Sequence, residues 1–337
     1  MFRLFTLCTL LGTLLASPFA AAIDSKPLTQ IVGSTSVGSV SSSGPIQVPF
    51  ITWGGDMATL LANGNSFKTA SGSPFAKNGL NLKLVREDIF TNQLKAYISG
   101  KSPFLRGTVG MIQQASDALC KDRRTCPKVV YQMTWSAGGD AMVVGPNIRT
   151  VADLHGKRLA VQAYGPHLDY LTKVLSDAGL SPNDVKLVWM RDLTGTEKTP
   201  GEALLNGKAD AAMVIIPDAL ALTSNGNVGT GSEGSLRGAR ILMSTRTANK
   251  VIADVYAVRS DYLDAEPQKI ESFVNGLMQG TERLQKTLAS QGGQRSTVLK
   301  FAAKALLDSS QATADAEALY ADAQFVGYAG NVQFFTD

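Results

Sequence analysis

The stretch from Val151 to Asp218 alternates short apolar runs with amphipathic segments, and it constrains the fold more than any other feature. The apolar runs at 158–162, 185–190 and 211–216 are bounded by turn residues, which predicts buried strands. Between them, leucines at helical spacing and a capping box over Thr199–Glu202 predict helices. Strands and helices that alternate through short loops form a mostly parallel sheet. Ligands on such sheets bind beyond the carboxyl ends of the strands, near helix N-termini.

The first 22 residues are typical of a secretory signal. Met1-Phe2-Arg3 is a short basic start, an apolar run from Leu4 to Ala16 follows, and Ala20-Ala21-Ala22 supplies small residues for cleavage. The apolar run is too short to span a bilayer comfortably. We therefore expect cleavage near Ala22 and a periplasmic protein. Residues 23–45, rich in Gly and Ser, are predicted to form a flexible leader.

The remaining length exceeds one ordinary hydrophobic core, which predicts two lobes. The formal net charge of +4 is dispersed, and its densest cluster, residues 121–124, is interrupted by an acid. A nucleic-acid-binding surface needs a basic face with interleaved aromatic residues, and the sequence has none. We expect no nucleic-acid partner.

Cys120 and Cys126 are the cysteines that remain after cleavage of the predicted signal. In an oxidising compartment they are expected to form a disulfide, which stabilises a small loop by roughly 2–3 kcal/mol. A metal site needs further ligands nearby, and the sequence does not supply them. There is also no nucleophile elbow, phosphate loop or paired-histidine motif, so we expect neither a cofactor nor an enzyme.

Three segments carry a resemblance to a known family: Val151–Val161, then Ala178–Leu180, then Leu204–Ala212. Together they resemble the extracytoplasmic solute-binding proteins of ABC importers, nearest to the nitrate, sulfonate/taurine and thiamine-pyrimidine-precursor binders. The resemblance runs from about Ile46 to the end of the chain. It implies the type II periplasmic binding fold: an α/β protein with two lobes, each a mostly parallel sheet flanked by helices, and two hinge crossings.

The resemblance also implies where the lobes begin and end. The first crossing falls after Thr134, where Gly138 and Gly139 can absorb backbone rotation. The return crossing falls in the strand at 251–258. We therefore expect lobe 1 to comprise residues 46–136 plus 256–337, and lobe 2 to comprise residues 137–255.

Polar, aromatic and glycine residues at the ends of predicted strands are the candidates for binding a ligand. They are Trp53, Gly54, Gly55, Asp56, Thr108, Thr134, Trp135, Asp140, Gln162, Tyr164, Gly165, His167, Asp192, Thr194, Asp218, Asp254 and Tyr256. Several have an equally good structural interpretation. Asp56 either caps a helix or meets a ligand donor, and Trp135 either stacks on a planar ligand or packs between lobes. Arg106 is either a solvated charge or an anion contact.

The helix predicted to start near Gly165-Pro166 points its dipole at the cleft and favours an anionic group. If several of the candidate aspartates line the same cleft, the solute should also carry a positive or donor group. The expected solute is small, polar and anionic or zwitterionic, and a zwitterion or an aminopyrimidine meets both demands better than a bare inorganic anion. The expected function is capture of this small polar solute by a monomer and its delivery to the membrane permease of an ABC importer.

Two alternatives remain open at this stage. One is a non-transport envelope module, either a ligand sensor or a segment of a larger surface protein. It is motivated by the apolar end at 325–335, which is predicted to lack a terminal helix. The other follows from the resemblance, which includes pyrimidine-precursor synthases of the same fold. Their iron- and histidine-centred chemistry is poorly supported by two histidines.

Overall fold

A computed structural model describes residues 25–41, 43–232, 234–248 and 250–336. The predicted signal peptide, residues 1–22, lies outside the described residues. The strands are β1 (Ile46–Phe50), β2 (Leu82–Arg86), β3 (Phe104–Thr108), β4 (Pro127–Ser136), β5 (Asp140–Val144), β6 (Arg158–Gln162), β7 (Lys186–Met190), β8 (Ala211–Ile215), β9 (Arg240–Ser244), β10 (Ala253–Arg259) and β11 (Ala323–Phe325).

The helices are α1 (Leu28–Val32), α2 (Asp56–Ala62), α3 (Pro74–Lys77), α4 (Phe90–Ile98), α5 (Val109–Leu119), α6 (His167–Asp177), α7 (Pro200–Leu205), α8 (Ile216–Leu222), α9 (Ser260–Ala265), α10 (Pro267–Ala289), α11 (Gly293–Leu307), α12 (Thr313–Ala321) and α13 (Gly327–Thr336). They flank a five-stranded sheet, a four-stranded sheet and a two-stranded parallel pair. This is the predicted two-lobe α/β architecture.

Lobe 2 is built on a five-stranded sheet with the order β7-β6-β8-β5-β9. The strands predicted over 158–162, 185–190 and 211–216 are β6, β7 and β8, and β6 pairs parallel with both neighbours. Only the N-cap half of the predicted capping box is seen: the Thr199 side chain accepts the backbone N–H of Glu202 at 3.3 Å, whereas the Glu202 carboxylate accepts from the Asn206 side chain. β5 runs antiparallel to β8 and β9, so the sheet is mixed.

Lobe 1 has a four-stranded sheet with the order β11-β4-β10-β3, beside a parallel pair, β1 and β2. β10 is antiparallel to both β3 and β4, so the expectation of a mostly parallel sheet is wrong for this lobe. The chain leaves the lobe after β4 and returns in β10, and two neighbouring strands that carry it in opposite directions must be antiparallel. The whole of β10 pairs in this sheet, so residues 253–255, which were predicted to lie in lobe 2, lie on a strand of the lobe 1 sheet instead.

The apolar stripe predicted around Phe273 forms the core-facing side of α10. Ile270, Phe273, Leu277 and Leu284 are buried there. The ring of Phe273 lies 4.4 Å from that of Phe104 in β3, centroid to centroid, which fixes the helix on the sheet. This packing holds the strand ends of lobe 1 in place.

The segment predicted as a flexible leader is instead packed on lobe 1. Leu28 and Val32 lie one helical turn apart in α1 and are buried in the same core as α4 and α5. Farther along, the backbone N–H of Gly38 donates to the carbonyl of Ile98 at 3.1 Å. The prediction failed because the apolar residues of this segment precede the Gly/Ser tract and find a groove in which to be buried.

The end of the chain forms a helix, α13, where none was predicted. Asn331 anchors it, because its side chain accepts the backbone N–H of Gln132 and donates to the carbonyl of the same residue. Trp135 packs edge-on against Phe334 of this helix, with ring centroids 6.4 Å apart. Pairing with the β4 backbone therefore stabilises a helix that the amino-acid pattern alone does not indicate.

The predicted disulfide between Cys120 and Cys126 is present, with an S–S distance of 2.00 Å. It closes the loop between α5 and β4.

In the described part of the chain, no helix is both long enough and apolar enough to cross a bilayer.

Candidate functional site

The two lobes meet where the N-terminus of α5 in lobe 1 faces the first turn of α6 in lobe 2. Thr108 caps α5, and its side-chain oxygen accepts the N–H of Met111 at 3.2 Å. The carboxylate of Asp169, from α6, lies directly against Gly110 at this terminus. A side chain of one lobe therefore packs on the helix terminus of the other.

Gly110 makes this contact sterically possible. A Cβ atom at position 110 would collide with both carboxylate oxygens of Asp169. The requirement comes from the approach of the carboxylate and not from the backbone conformation. Neither Gly110 nor Asp169 was among the predicted site residues. An acid in the first turn of a helix is already explained by its favourable interaction with the helix dipole, so Asp169 gives no sign in the sequence of a contact between the lobes.

Burial raises the pKa of the Asp169 carboxyl above its ordinary value, and the hydrogen bonds from Gly110 and Thr108 oppose that rise. The contact between the two lobes thus removes this carboxyl partly from water.

The first connection between the lobes carries a second polar cluster. Nε2 of His167 lies 2.6 Å from Oδ1 of Asp140, and the Ser136 hydroxyl donates to Oδ2 of Asp140 at 2.6 Å. The Thr245 side chain accepts the backbone N–H of Gly138 at 3.0 Å. Asp140 and His167, which are distant in sequence and were both predicted, are thus brought together.

His167 is fully buried, and its Nδ1 atom has no hydrogen-bond partner among the described residues. The helix α6 begins at His167, one residue later than predicted, and no side chain caps its N-terminus. A buried ring nitrogen without a partner is costly unless a further group bonds to it. This end of α6 therefore retains hydrogen-bonding capacity.

Acidic side chains surround the cluster. Burial raises the pKa of Asp218, while the hydrogen bond from the Thr194 hydroxyl, 3.2 Å long, and the nearby His167 oppose the rise. Burial also raises the pKa of Asp322, where Arg246 opposes and Asp140 adds to the rise. The interlobe face is consequently rich in carboxylates, and a ligand there meets acceptors more readily than donors.

A buried chain of polar contacts runs from this face into lobe 1. Nε1 of Trp53 donates to Thr134 at 3.0 Å, and the Thr134 hydroxyl donates to Asp254 at 3.1 Å. Asp254 accepts from Arg106 at 2.8 Å, and Arg106 also donates to both oxygens of Asp56. Four of these residues, Trp53, Asp56, Thr134 and Asp254, are among the predicted ligand contacts, and a ligand contact at them stays a prediction.

Arg106 is neither a solvated charge nor a free anion contact, which were the two alternatives expected. Its side chain is 0% exposed, and both of its acidic partners are buried as well. Burial raises the pKa of Asp56 to about 6 even though Arg106 opposes the rise. The guanidinium is therefore engaged by the protein's own carboxylates.

Other predicted residues are occupied by packing within lobe 1 and its boundary. A Cβ atom on Gly54 would collide with the carbonyl of Leu319, and one on Gly55 would crowd the Thr134 side chain. The Tyr256 hydroxyl donates to the carbonyl of Pro49 at 2.9 Å. These positions are explained by structure, and a ligand contact at them stays a prediction.

The remaining predicted residues of lobe 2 make mostly local bonds. Gln162 donates to the carbonyl of Arg191, and Asp192 accepts from the Arg191 side chain, as a turn former would. Gly165 follows in the same turn, and its backbone N–H donates to the carbonyl of Gln162 at 3.4 Å. Tyr164 differs, because its hydroxyl donates to the carbonyl of Lys26 at 2.5 Å and so joins lobe 2 to the leader.

A cavity of about 510 Å³ lies elsewhere in lobe 1, between the leader and α4. Its buried polar side chains, Gln93 and Ser102, are hydrogen-bonded to the chain itself. The interlobe face is the better candidate because it brings together polar groups of both lobes and a buried ring nitrogen, Nδ1 of His167, that has no hydrogen-bond partner among the described residues. Within the described ranges, no group of three His, Cys, Asp or Glu side chains is placed to hold a metal ion.

A family model described as NMT1/THI5 like matches residues 75–287. No curated protein matches the chain in sequence.

Solved structures of similar architecture include two sulfonate binders. The alkanesulfonate-binding protein SsuA of Xanthomonas axonopodis pv. citri, bound to MOPS, is 18% identical over 85% of this chain and 87% of that one, with a TM-score of 0.58. The periplasmic aliphatic sulphonate-binding protein SsuA of Escherichia coli is 17% identical over 84% and 86%, with a TM-score of 0.59.

The periplasmic nitrate-binding protein NrtA of Synechocystis PCC 6803 is also similar. It is 13% identical over 79% of this chain and 67% of that one, with a TM-score of 0.55. At these identities the likeness establishes the fold.

Proposed function

We propose that this chain, which belongs to the NMT1/THI5-like family, is a solute-binding protein that closes its two lobes on a small polar molecule. The observation that carries the proposal is the convergence of polar groups from both lobes on one face. Thr108 and the N-terminus of α5 come from lobe 1, and Asp140, His167 and Asp218 come from lobe 2. A ligand that contacts both sets binds the closed form better than the open form and so shifts the population toward closure.

The chain connections support a closing motion. Gly138 and Gly139 stand between β4 and β5, and Gly138 has a φ of +135°, which few other residues adopt. A Cβ atom on Gly139 would collide with the Trp53 ring. We propose that this connection and the return between β9 and β10 act as hinges.

The solute has to carry groups that complement both the carboxylates of the interlobe face and the N-terminus of α6. Asp218 and Asp140 favour a positive or donor nitrogen, and the uncapped N-terminus of α6 favours an electronegative group. A zwitterion or an amino-substituted heterocycle satisfies both. Proteins of similar fold bind sulfonates and nitrate, and we expect the solute of this protein to be similarly small.

Transport follows from the same proposal. The signal-like start of the sequence, residues 1–22, directs the chain out of the cytoplasm. In the periplasm, the closed protein with its bound solute is the form that an ABC-type permease recognises. We propose that the protein acts there as a monomer that delivers its solute to such an importer. It has no proposed catalytic role.

The test is a thermal-shift panel on mature protein that has been unfolded and refolded to remove bound solute. The panel contains nitrate, phosphate, phosphonates, taurine and other sulfonates, aminopyrimidines and amino acids. A solute at a hundred times its dissociation constant adds about 2.7 kcal/mol to the free energy of unfolding, which is a shift of several degrees. Small-angle scattering with and without the best solute then measures closure.

A shift accompanied by a smaller radius of gyration supports the proposal. A flat panel with folded protein argues against solute binding and for the envelope-module alternative. A shift without any change in shape contradicts the closing mechanism.

A further inference from the structure

We propose that Thr245 is the residue that positions the hinge between the two lobes. Its buried hydroxyl holds Gly138 of the first connection and so sets the angle between lobe 2 and lobe 1. The inference rests on the proposed function, because it assigns the residue that governs lobe closure. Thr245 was not among the predicted site residues.

The attachment of the first connection changes from lobe 1 to lobe 2 between two consecutive residues. The backbone N–H of Ala137 donates at 2.9 Å to the carbonyl of Asp322, which directly precedes β11 of lobe 1. The next N–H, that of Gly138, donates to the side-chain oxygen of Thr245, which directly follows β9 of lobe 2. A rotation of one lobe against the other is therefore absorbed at Gly138, whose φ is +135°.

The Thr245 hydroxyl bonds to groups on both sides of this point. Its oxygen also accepts the backbone N–H of Asp140 at 3.2 Å, and it lies 2.9 Å from the hydroxyl of Ser136 at the end of β4. The side chains of Ser136 and Thr245 are both fully buried. Removing the Thr245 hydroxyl would leave the buried N–H groups of Gly138 and Asp140 without a partner, which costs more than a hydrogen bond exposed to water.

The supply of protons determines the direction of these bonds. A carboxylate can only accept, so the Ser136 hydroxyl gives its one proton to Oδ2 of Asp140, 2.6 Å away. The Thr245 hydroxyl is left to donate to Ser136 at 2.9 Å, which is closer than its other acceptor, the Asp140 carbonyl, at 3.4 Å. The Thr245 oxygen can then accept from Gly138.

The same chain of bonds reaches the proposed solute site. Oδ1 of Asp140 lies 2.6 Å from Nε2 of His167, the first residue of α6. The other ring nitrogen of His167 is the buried atom that has no partner among the described residues. A solute that bonds to it therefore contacts the group that holds Gly138, and its binding is coupled to the angle between the lobes. Without the Thr245 hydroxyl, lobe 2 no longer holds Gly138, and the lobes should sample a wider range of angles.

The experiment compares Thr245→Val, which keeps the branched shape and removes the hydroxyl, with Thr245→Ser, which keeps the hydroxyl. The matched control is Thr223→Val at the far end of α8. Thr223 is as buried as Thr245, and its hydroxyl also bonds to two backbone groups, the carbonyl of Ala219 and the N–H of Gly226. The control therefore loses a comparable set of hydrogen bonds within lobe 2.

Both measurements are made on refolded, solute-free protein. Hydrogen exchange of the Gly138 and Asp140 amides, followed by NMR spectroscopy, reports on the bonds to Thr245. Small-angle X-ray scattering reports the distribution of distances within the molecule and hence the range of lobe angles. Thermal unfolding establishes that each variant is folded.

Thr245→Val should accelerate exchange of both amides about tenfold, as expected for the loss of one hydrogen bond, and should broaden the distance distribution. Thr245→Ser should behave as the wild type in both measurements. Thr223→Val should lower the unfolding temperature by a similar amount and leave both measurements unchanged. Ser136→Ala is the second variant in case Thr245→Val does not fold, and it should broaden the distribution because it removes the bond between Thr245 and β4.

A folded Thr245→Val variant with the distance distribution of the wild type would overturn the inference, because the hydroxyl would then stabilise the fold without setting the lobe angle. Equal broadening in Thr223→Val, or broadening that Thr245→Ser does not reverse, would overturn it as well. None of these outcomes requires a solute. A flat thermal-shift panel on the wild type would instead contradict the proposed function and leave the scattering result standing.

Discussion

The guanidinium of Arg106 donates hydrogen bonds to both oxygens of Asp56, with Nε 3.1 Å from each oxygen and Nη2 2.7 Å from Oδ2. Neither side chain is exposed. Nη1 of the same guanidinium reaches Asp254 at 2.8 Å, so one buried cation serves two buried carboxyls. This triad joins α2, β3 and β10, and it stabilises the strand ends that face lobe 2.

Replacing Arg106 with Met should destabilise the protein strongly. The variant leaves two buried carboxyls without their cation, and breaking a buried pair in this way costs about 3–5 kcal/mol. Urea unfolding measures the change. Arg124→Met is the matched control, because Arg124 pairs with Asp122 on the surface, where the loss of an ion pair should have little effect on stability. Equal losses in the two variants would show that the triad contributes no more than a surface pair.

Asp56 should make stability depend on pH in a defined direction. Its pKa in the folded protein, about 6, lies above the ordinary 3.8, so folding favours the protonated form. Its contribution to stability is therefore fully present below pH 3.8 and is lost as the pH rises through 6. The difference amounts to about 3 kcal/mol at most.

The measurement compares the free energy of unfolding of Asp56→Asn and of the wild type at pH 4.5 and 7.5. The variant cannot ionise at this position, so its stability relative to the wild type should increase with pH. A relative stability that is constant or decreases with pH contradicts the raised pKa.

Gly54→Ala should destabilise lobe 1 through a steric clash. The added Cβ atom meets the backbone carbonyl of Leu319, which cannot move as a flexible side chain can. A cost of about 1–3 kcal/mol is expected, as for other overpacked sites. Gly293→Ala is the control, because a Cβ atom there meets nothing within 4 Å. Thermal unfolding of the two variants distinguishes a clash from a general effect of replacing glycine.

Leu28→Ala tests whether the leader belongs to the fold. Leu28 is 7% exposed and packs in the core that contains α4 and α5, so its truncation should cost about 2–3 kcal/mol. Gln30→Ala in the same helix changes an exposed residue and should leave stability nearly unchanged. If the two variants unfold at the same urea concentration, the leader contributes nothing to the stability of lobe 1.

The sequence by itself determined the two-lobe α/β architecture of this protein and many of its helices and strands. The strand at 158–162, the capped helix after Thr199 and the stripe around Phe273 were all predictable, because each depends on residues that are neighbours in the chain. The disulfide was predictable because Cys120 and Cys126 are the two cysteines that remain after the predicted signal is cleaved, in a compartment expected to be oxidising. Helix α13 was missed, since its stability comes from Asn331 bonding to the distant β4 backbone.

Only the tertiary structure decided which polar groups meet. Asp56 and Arg106 are 50 residues apart, and Arg106 and Asp254 are 148 apart. Asp169 reaches Gly110 from the opposite lobe. Such contacts depend on how sheets and helices pack and on how the lobes approach, and no local periodicity encodes them. The sequence could therefore name acids and donors near the predicted cleft. Packing determined that one of those donors, Arg106, is already bonded to Asp56 and Asp254 of the protein itself.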